Sequence, residues 1–95
     1  MMYFVPPQVR MTAYKGLVAN REIKCNNAIG VRRARQLIIQ PEISIVTIKK
    51  MYSYLSRAKT YYQPGDLSKC GTVSFMLWGG TPALIWTRKI LKAYK

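Results

Sequence analysis

Between Gly30 and Arg57 apolar residues recur at helical spacing twice, with a stop and a fresh start between the two runs. At 100° per residue, Val31, Ala34, Leu37 and Ile38 fall on one side of a first helix, while Arg32, Arg33 and Gln36 point away. Ile48, Met51, Tyr52 and Leu55 follow the i, i+3, i+4, i+7 pattern of a second helix, whose other side carries Lys49, Lys50, Ser53 and Arg57. Two helices that share a buried seam and turn their positive charge outward are the expectation. Pro41 cannot continue a helix and biases Gln40 toward extended geometry, so the first helix is predicted to stop by Ile39 or Gln40. Ser44 then serves as N-cap of the second. The β-branched run from Ile43 to Ile48 also suits a short strand, but the apolar period carries on to Leu55, past strand length, and helix is preferred.

The flanks extend this pattern. From Pro7 a helix to about Asn20 is predicted, with Val9, Ala13, Gly16 and Leu17 on one stripe and Met11, Tyr14 and Val18 on another, which implies cover on two sides. Arg21 to Asn27 reads as a polar connector, with Asn26 or Asn27 capping the next helix. Met1 to Pro6 is either an extended arm or a frayed end. Pro64-Gly65-Asp66 marks a turn in an irregular stretch after Arg57. Thr72 to Trp78 suits a buried strand or a buried helix equally. Gly79-Gly80 fits a helix end, and Thr81-Pro82 reads as N-cap and first residue of a last helix running to about Ala93, with Ala83, Trp86, Ile90 and Tyr94 along one face. The expected fold is mainly α: a compact bundle of four to five short helices around a helix-turn-helix-like pair, with a strand over 72–78 as the alternative.

Length and composition bound what such a bundle is for. Ninety-five residues make a single domain over 1–95, and a hydrophobic fraction of 49% argues for a folded chain rather than a basic tail. Sixteen Lys and Arg against Glu22, Glu42 and Asp66 leave a net charge of +13. Self-repulsion on that scale is usually offset by a polyanionic partner: nucleic acid, an anionic membrane or an acidic protein. The start MMYFVPPQVR lacks the features of a signal peptide, so Cys25 and Cys70 are expected to be reduced thiols in a cytosolic setting. Val73 to Trp86 is interrupted by Gly79-Gly80-Thr81-Pro82 and falls short of the roughly 20 residues that span a bilayer.

The blocks Gly30-Val31-x-x-Ala34-Arg35-Gln36-Leu37, Ser44-x-x-Thr47-Ile48-Lys49-Lys50-Met51-x-Ser53-Tyr54-Leu55-x-Arg57, Leu77-Trp78-Gly79-Gly80 and Trp86-x-x-Lys89 resemble, in order and spacing, a small helical domain encoded by tailed double-stranded DNA phages and prophages. The resemblance covers about Gly30 to Lys89. It implies a phage-type origin in or beside virion and prohead genes, and no particular biochemical activity. Where that family has Ser-Pro-Glu-Thr this chain has Ser44-Ile45-Val46-Thr47, which removes the capping-box acid, and where the family has His after the Arg this chain has Ala58.

The chemistry of the residue set points to binding. The sequence has no His, which removes the commonest general base and metal ligand. Glu22, Glu42 and Asp66 are isolated from one another, and two cysteines without His complete no zinc site. Gly79-Gly80 lacks the spacing and the Lys-Ser/Thr of a phosphate loop. A non-enzyme without cofactor or metal is expected. The candidate nucleic-acid contacts are Arg32, Arg33, Arg35, Lys49, Lys50 and Arg57 on the central pair, Lys59, Tyr61, Tyr62 and Lys69 in the following loop, and Arg88, Lys89 and Lys92 at the end. A site-specific helix-turn-helix reader would instead face the groove with Ser44, Thr47, Lys49, Lys50 and Ser53. Trp78 and Trp86 read as core aromatics, with Tyr61 and Tyr62 better placed to stack on bases. The leading expectation is a protein of the virion or host cytoplasm that binds nucleic acid mainly through phosphate contacts, during packaging or early infection, with DNA ahead of RNA as ligand. The alternative is a structural or inhibitory module that docks on an acidic capsid or host-defence protein.

Overall fold

The computed structural model describes residues 1–61 and 66–94. The chain runs β1 (Met2–Phe4), α1 (Pro7–Ile23), α2 (Ala28–Ile39), β2 (Glu42–Ser44), α3 (Ile45–Ala58), a 3₁₀ turn (Lys59–Tyr61), α4 (Cys70–Leu77) and α5 (Gly80–Ala93). It is a mainly helical bundle, as the periodicity implied, with one small antiparallel sheet that the periodicity did not place.

Local chemistry sets most of the boundaries. Pro7 opens α1 where a missing N–H costs nothing. The helix passes the expected end at Asn20 because Arg21 to Ile23 contain no breaker, and Lys24 closes it in the left-handed region at φ 55°. Asn27 caps α2, its side chain accepting from the Gly30 N–H at 2.9 Å. Ser44 caps α3 in the same way, accepting from the Thr47 N–H at 3.3 Å. The β-branched run therefore divides at Ser44, with strand before it and helix after it. The last helix starts two residues earlier than Thr81-Pro82 suggested: Gly79, at φ 100°, is its N-cap, and Pro82 falls within the first turn, where no backbone donor is needed. A Cβ at Gly79 would also meet that of Ala83 at 2.5 Å, so size and φ both select glycine there.

Residues 1–6 resolve as an arm held by the chain itself. Met2, Tyr3 and Phe4 pair with Ser44, Ile43 and Glu42, and the Val5 N–H continues the ladder to the Pro41 carbonyl at 3.0 Å. The undecided segment at 72–78 is helix as far as Leu77, with Trp78 as its C-cap. Its Thr72, Val73, Phe75 and Leu77 are all buried, and α4 touches every other helix, as expected of a helix apolar on all sides.

Three expectations are corrected by the packing. First, α2 and α3 do not share a seam; α2 packs chiefly on α1 and α3 on α5, with α4 against both. Second, Met11 and Tyr14 are 55% and 56% exposed, so α1 is covered on one side only, through Val9, Ala13, Gly16 and Ala19. Third, Cys25 and Cys70 are joined in a disulfide, with Cα atoms 5.7 Å apart. Cys25 follows α1 and Cys70 opens α4, and the packing of α4 on α1 brings the two sulfurs together across 45 residues of sequence.

Candidate nucleic-acid interface

Because α2 and α3 diverge, an open cleft of about 540 Å³ lies where the seam was expected. Ile29 and Arg33 of α2 form one wall, and Lys49, Lys50, Ser53, Tyr54 and Arg57 of α3 form the other, with Trp78 lining it as well. The α3 residues are spaced at three to four, so a single helical face supplies them all. Among the described residues no carboxylate lines the cleft.

Trp78 organises the site. It is 8% exposed, and Tyr54 stacks on it with ring centroids 4.4 Å apart and an interplanar angle of 23°. The Arg33 guanidinium lies 5.0 Å from the Trp78 ring centroid, a cation–π contact. Arg33 also donates through Nη1 to the Gln36 side chain. Its Nε is buried and has no hydrogen-bond partner among the described residues. Burial pushes the Arg33 pKa down, which leaves a charged guanidinium in a desolvated place where an anion would relieve it. Burial likewise raises the Tyr54 phenol above its ordinary 10.0, opposed by a hydrogen bond with Ser74. Lys49 stands at the rim toward α5, its ammonium 4.9 Å from the Tyr94 ring centroid.

Of the residues singled out from sequence, the fold brings Arg33, Lys49, Lys50 and Arg57 together. Arg32 is exposed but does not line the cleft, and Arg35 lines a separate depression with Leu17, Asn20, Arg21 and Val31. Lys59 and Lys69 are exposed in the 3₁₀ turn and before α4. Arg88, Lys89 and Lys92 lie on exposed positions of α5, with Lys89 beside Met1 and Tyr3. Tyr62 falls outside the described residues, as do Pro64 and Gly65 of the expected turn, and only the backbone of Tyr61 is described. The groove-reading set is also divided: Lys49, Lys50 and Ser53 line the cleft, whereas the Ser44 and Thr47 side chains are turned to each other, 3.3 Å apart, at the cap. Sequence reasoning missed Tyr54 and Ile29 as cleft residues. It placed Trp78 correctly in the core but not as the platform behind the cations. Helical spacing from Lys50 would have found Tyr54 on the same face as Arg57.

Among the described residues, no three His, Cys, Asp or Glu side chains cluster as metal ligands, and no helix is long and apolar enough to cross a membrane. No protein-family model, curated protein or solved structure matches this chain.

Proposed function

We propose that this is a small basic protein of phage type that binds nucleic acid through its phosphates, in the virion or during packaging or early infection. The observation that carries the reading is the convergence of Arg33, Lys49, Lys50 and Arg57 on one cleft that no carboxylate of the described residues lines. A protein that needed charge only for solubility would mix its signs, whereas clustered cations raise the local concentration of polyanions. The lack of His and the scatter of Glu22, Glu42 and Asp66 support binding rather than catalysis. The phage origin rests on the sequence blocks from Gly30 to Lys89. The Cys25–Cys70 disulfide belongs with an oxidising setting and favours the virion over the reducing host cytoplasm.

Fluorescence anisotropy of labelled, random-sequence DNA and RNA, titrated with nuclease-treated protein across salt concentrations, tests this. Four phosphate contacts correspond to a log–log salt slope of about −3.6 on B-DNA. Binding that varies little with sequence and weakens at about that slope is the expected result. Absence of binding at low salt would turn the cations toward an acidic protein.

That second reading has its own support. Met11, Tyr14, Val18 and Ile85 are exposed on α1 and α5, a set of apolar side chains suited to anchoring a protein partner. A defined complex with a capsid or host protein, surviving nuclease treatment, would favour it.

A further inference from the structure

The cationic cleft does not end at Arg57. A second depression of about 400 Å³ is lined by Tyr54, Arg57, Ala58, Gly71 and Ser74. Tyr54 and Arg57 line both, and so form the ridge between two compartments of one groove that runs from α2 to the first turn of α4. The compartments differ in chemistry. Among the described residues, the first gathers four cations; the second has one, Arg57, beside an aromatic ring, the methyl of Ala58, a glycine and a hydroxyl.

Resting on the nucleic-acid reading above, we infer that the ligand of this groove is a single strand rather than a duplex. The phosphates follow the cations of the first compartment, and one unstacked base enters the second, against Tyr54 and Ser74. Charge alone does not separate the two ligands, because both present phosphates. Concavity does. A duplex offers its phosphates on a convex surface with its bases paired inside, so it reaches the rim and leaves the second compartment empty. A single strand carries a free base beside every phosphate, with an apolar face and a polar edge. The second compartment offers a partner to each: the Tyr54 ring for the face, and for the edge the one hydrogen-bonding position of the Ser74 hydroxyl that Asn27 and Tyr54 leave over.

The compartment is also ordered before any ligand arrives, which lowers the entropy cost of binding. Tyr54 is held by its stack on Trp78 at 4.4 Å. Ser74 accepts from the Asn27 side-chain amide and shares a hydrogen bond with Tyr54. The first turn of α4, which carries Gly71, is tied to the segment before α2 by the Cys25–Cys70 disulfide.

Gly71 supplies the test. It is exposed on α4, so Gly71→Leu fills the compartment from its wall without altering charge and replaces a poor helix former with a good one. Ala58→Leu fills it from the end of α3 and serves as the second variant, with thermal unfolding checked for both. The probes are oligo-dT and oligo-U of about ten nucleotides, within the range covered by small single-strand-binding modules, and a mixed-sequence duplex of the same length at the same salt. The intact protein is expected to bind a single strand about tenfold more tightly than the duplex. Gly71→Leu is expected to lose about tenfold on the single strand, in line with the worth of one stacked base, while its salt slope and duplex affinity stay unchanged. Equal or tighter duplex binding overturns the inference and leaves the nucleic-acid reading standing, as does single-strand binding unaltered in both folded variants. No binding to any probe at low salt overturns both.

Discussion

The Arg10 guanidinium, near the start of α1, donates to the carbonyl oxygen of Ile38 at 2.9 Å and to that of Gln40 at 3.0 Å. Those carbonyls belong to the end of α2, where the helix has no backbone donors left to satisfy them. The Arg10 Nε also reaches the Val5 carbonyl at 3.4 Å, so one side chain joins the arm, α1 and the end of α2. Arg10→Ala is expected to lower the unfolding free energy by about 2 kcal/mol, the scale of charge-assisted hydrogen bonds at a partly buried site. Arg10→Lys, with a single ammonium, restores only part of it. Urea denaturation reads both, and a variant as stable as the parent would show that these bonds contribute nothing.

Gly16 packs against the backbone of α4. A Cβ there would lie 2.8 Å from the Leu77 nitrogen and 3.0 Å from the Met76 carbonyl carbon. Alanine favours an isolated helix by about 1 kcal/mol over glycine, whereas overpacking against a fixed backbone costs about 1–3 kcal/mol. The expected result for Gly16→Ala is a net loss of about 1 kcal/mol in the denaturant midpoint analysis. A gain in stability would mean that α1 and α4 are free to separate.

What the sequence made legible, and what it hid, follows the range of the interactions. Ser44, Pro41, Pro7 and the period through Leu55 act within a turn or two, and each set a boundary that the fold respects. The β1–β2 pair joins Met2 to Ser44, across a separation that no local pattern reports. The disulfide is hidden for the same reason, since Cys25 and Cys70 become neighbours only through the packing of α4 on α1. Periodicity placed Trp78 inside but could not say that Tyr54 and Arg33 would lie against it. The cations were evident as a class. Which of them converge depends on the divergence of α2 from α3, and that is fixed by what each packs against.

Cys25 and Cys70 close a loop spanning 45 residues of sequence. The chain-entropy treatment assigns such a loop about 4 kcal/mol of stabilisation, and real disulfides commonly give about 2–4. Thiol labelling with mass detection should find no free cysteine in the oxidised protein. Replacement of both by serine should lower the unfolding free energy within that range, and unchanged stability would show that the bond constrains little.

Tyr54 gives the fold an alkaline limit. Its folded-state pKa is raised above the ordinary 10.0, chiefly by burial. The stability this confers is fully present below the unfolded-state value and is lost as pH rises through the folded one. Stability is therefore expected to fall in the window above about pH 10. In Tyr54→Phe that component of the fall should be absent, which denaturation at a series of alkaline pH values reads directly. An equal fall in the variant would assign the effect to other groups.

Under the proposed function the cleft, and not the charge of the chain at large, is what holds nucleic acid. Two triple variants of equal net charge decide it: Lys49→Gln, Lys50→Gln and Arg57→Gln in the cleft, against Arg88→Gln, Lys89→Gln and Lys92→Gln on α5, which do not line it. The salt dependence of binding to B-DNA is measured for both by fluorescence anisotropy. The cleft triple is expected to flatten the slope by about 2.7, at about 0.9 per phosphate contact. The α5 triple is expected to leave it close to that of the parent. Equal losses in the two, or a larger loss in the α5 triple, would contradict the assignment of binding to the cleft.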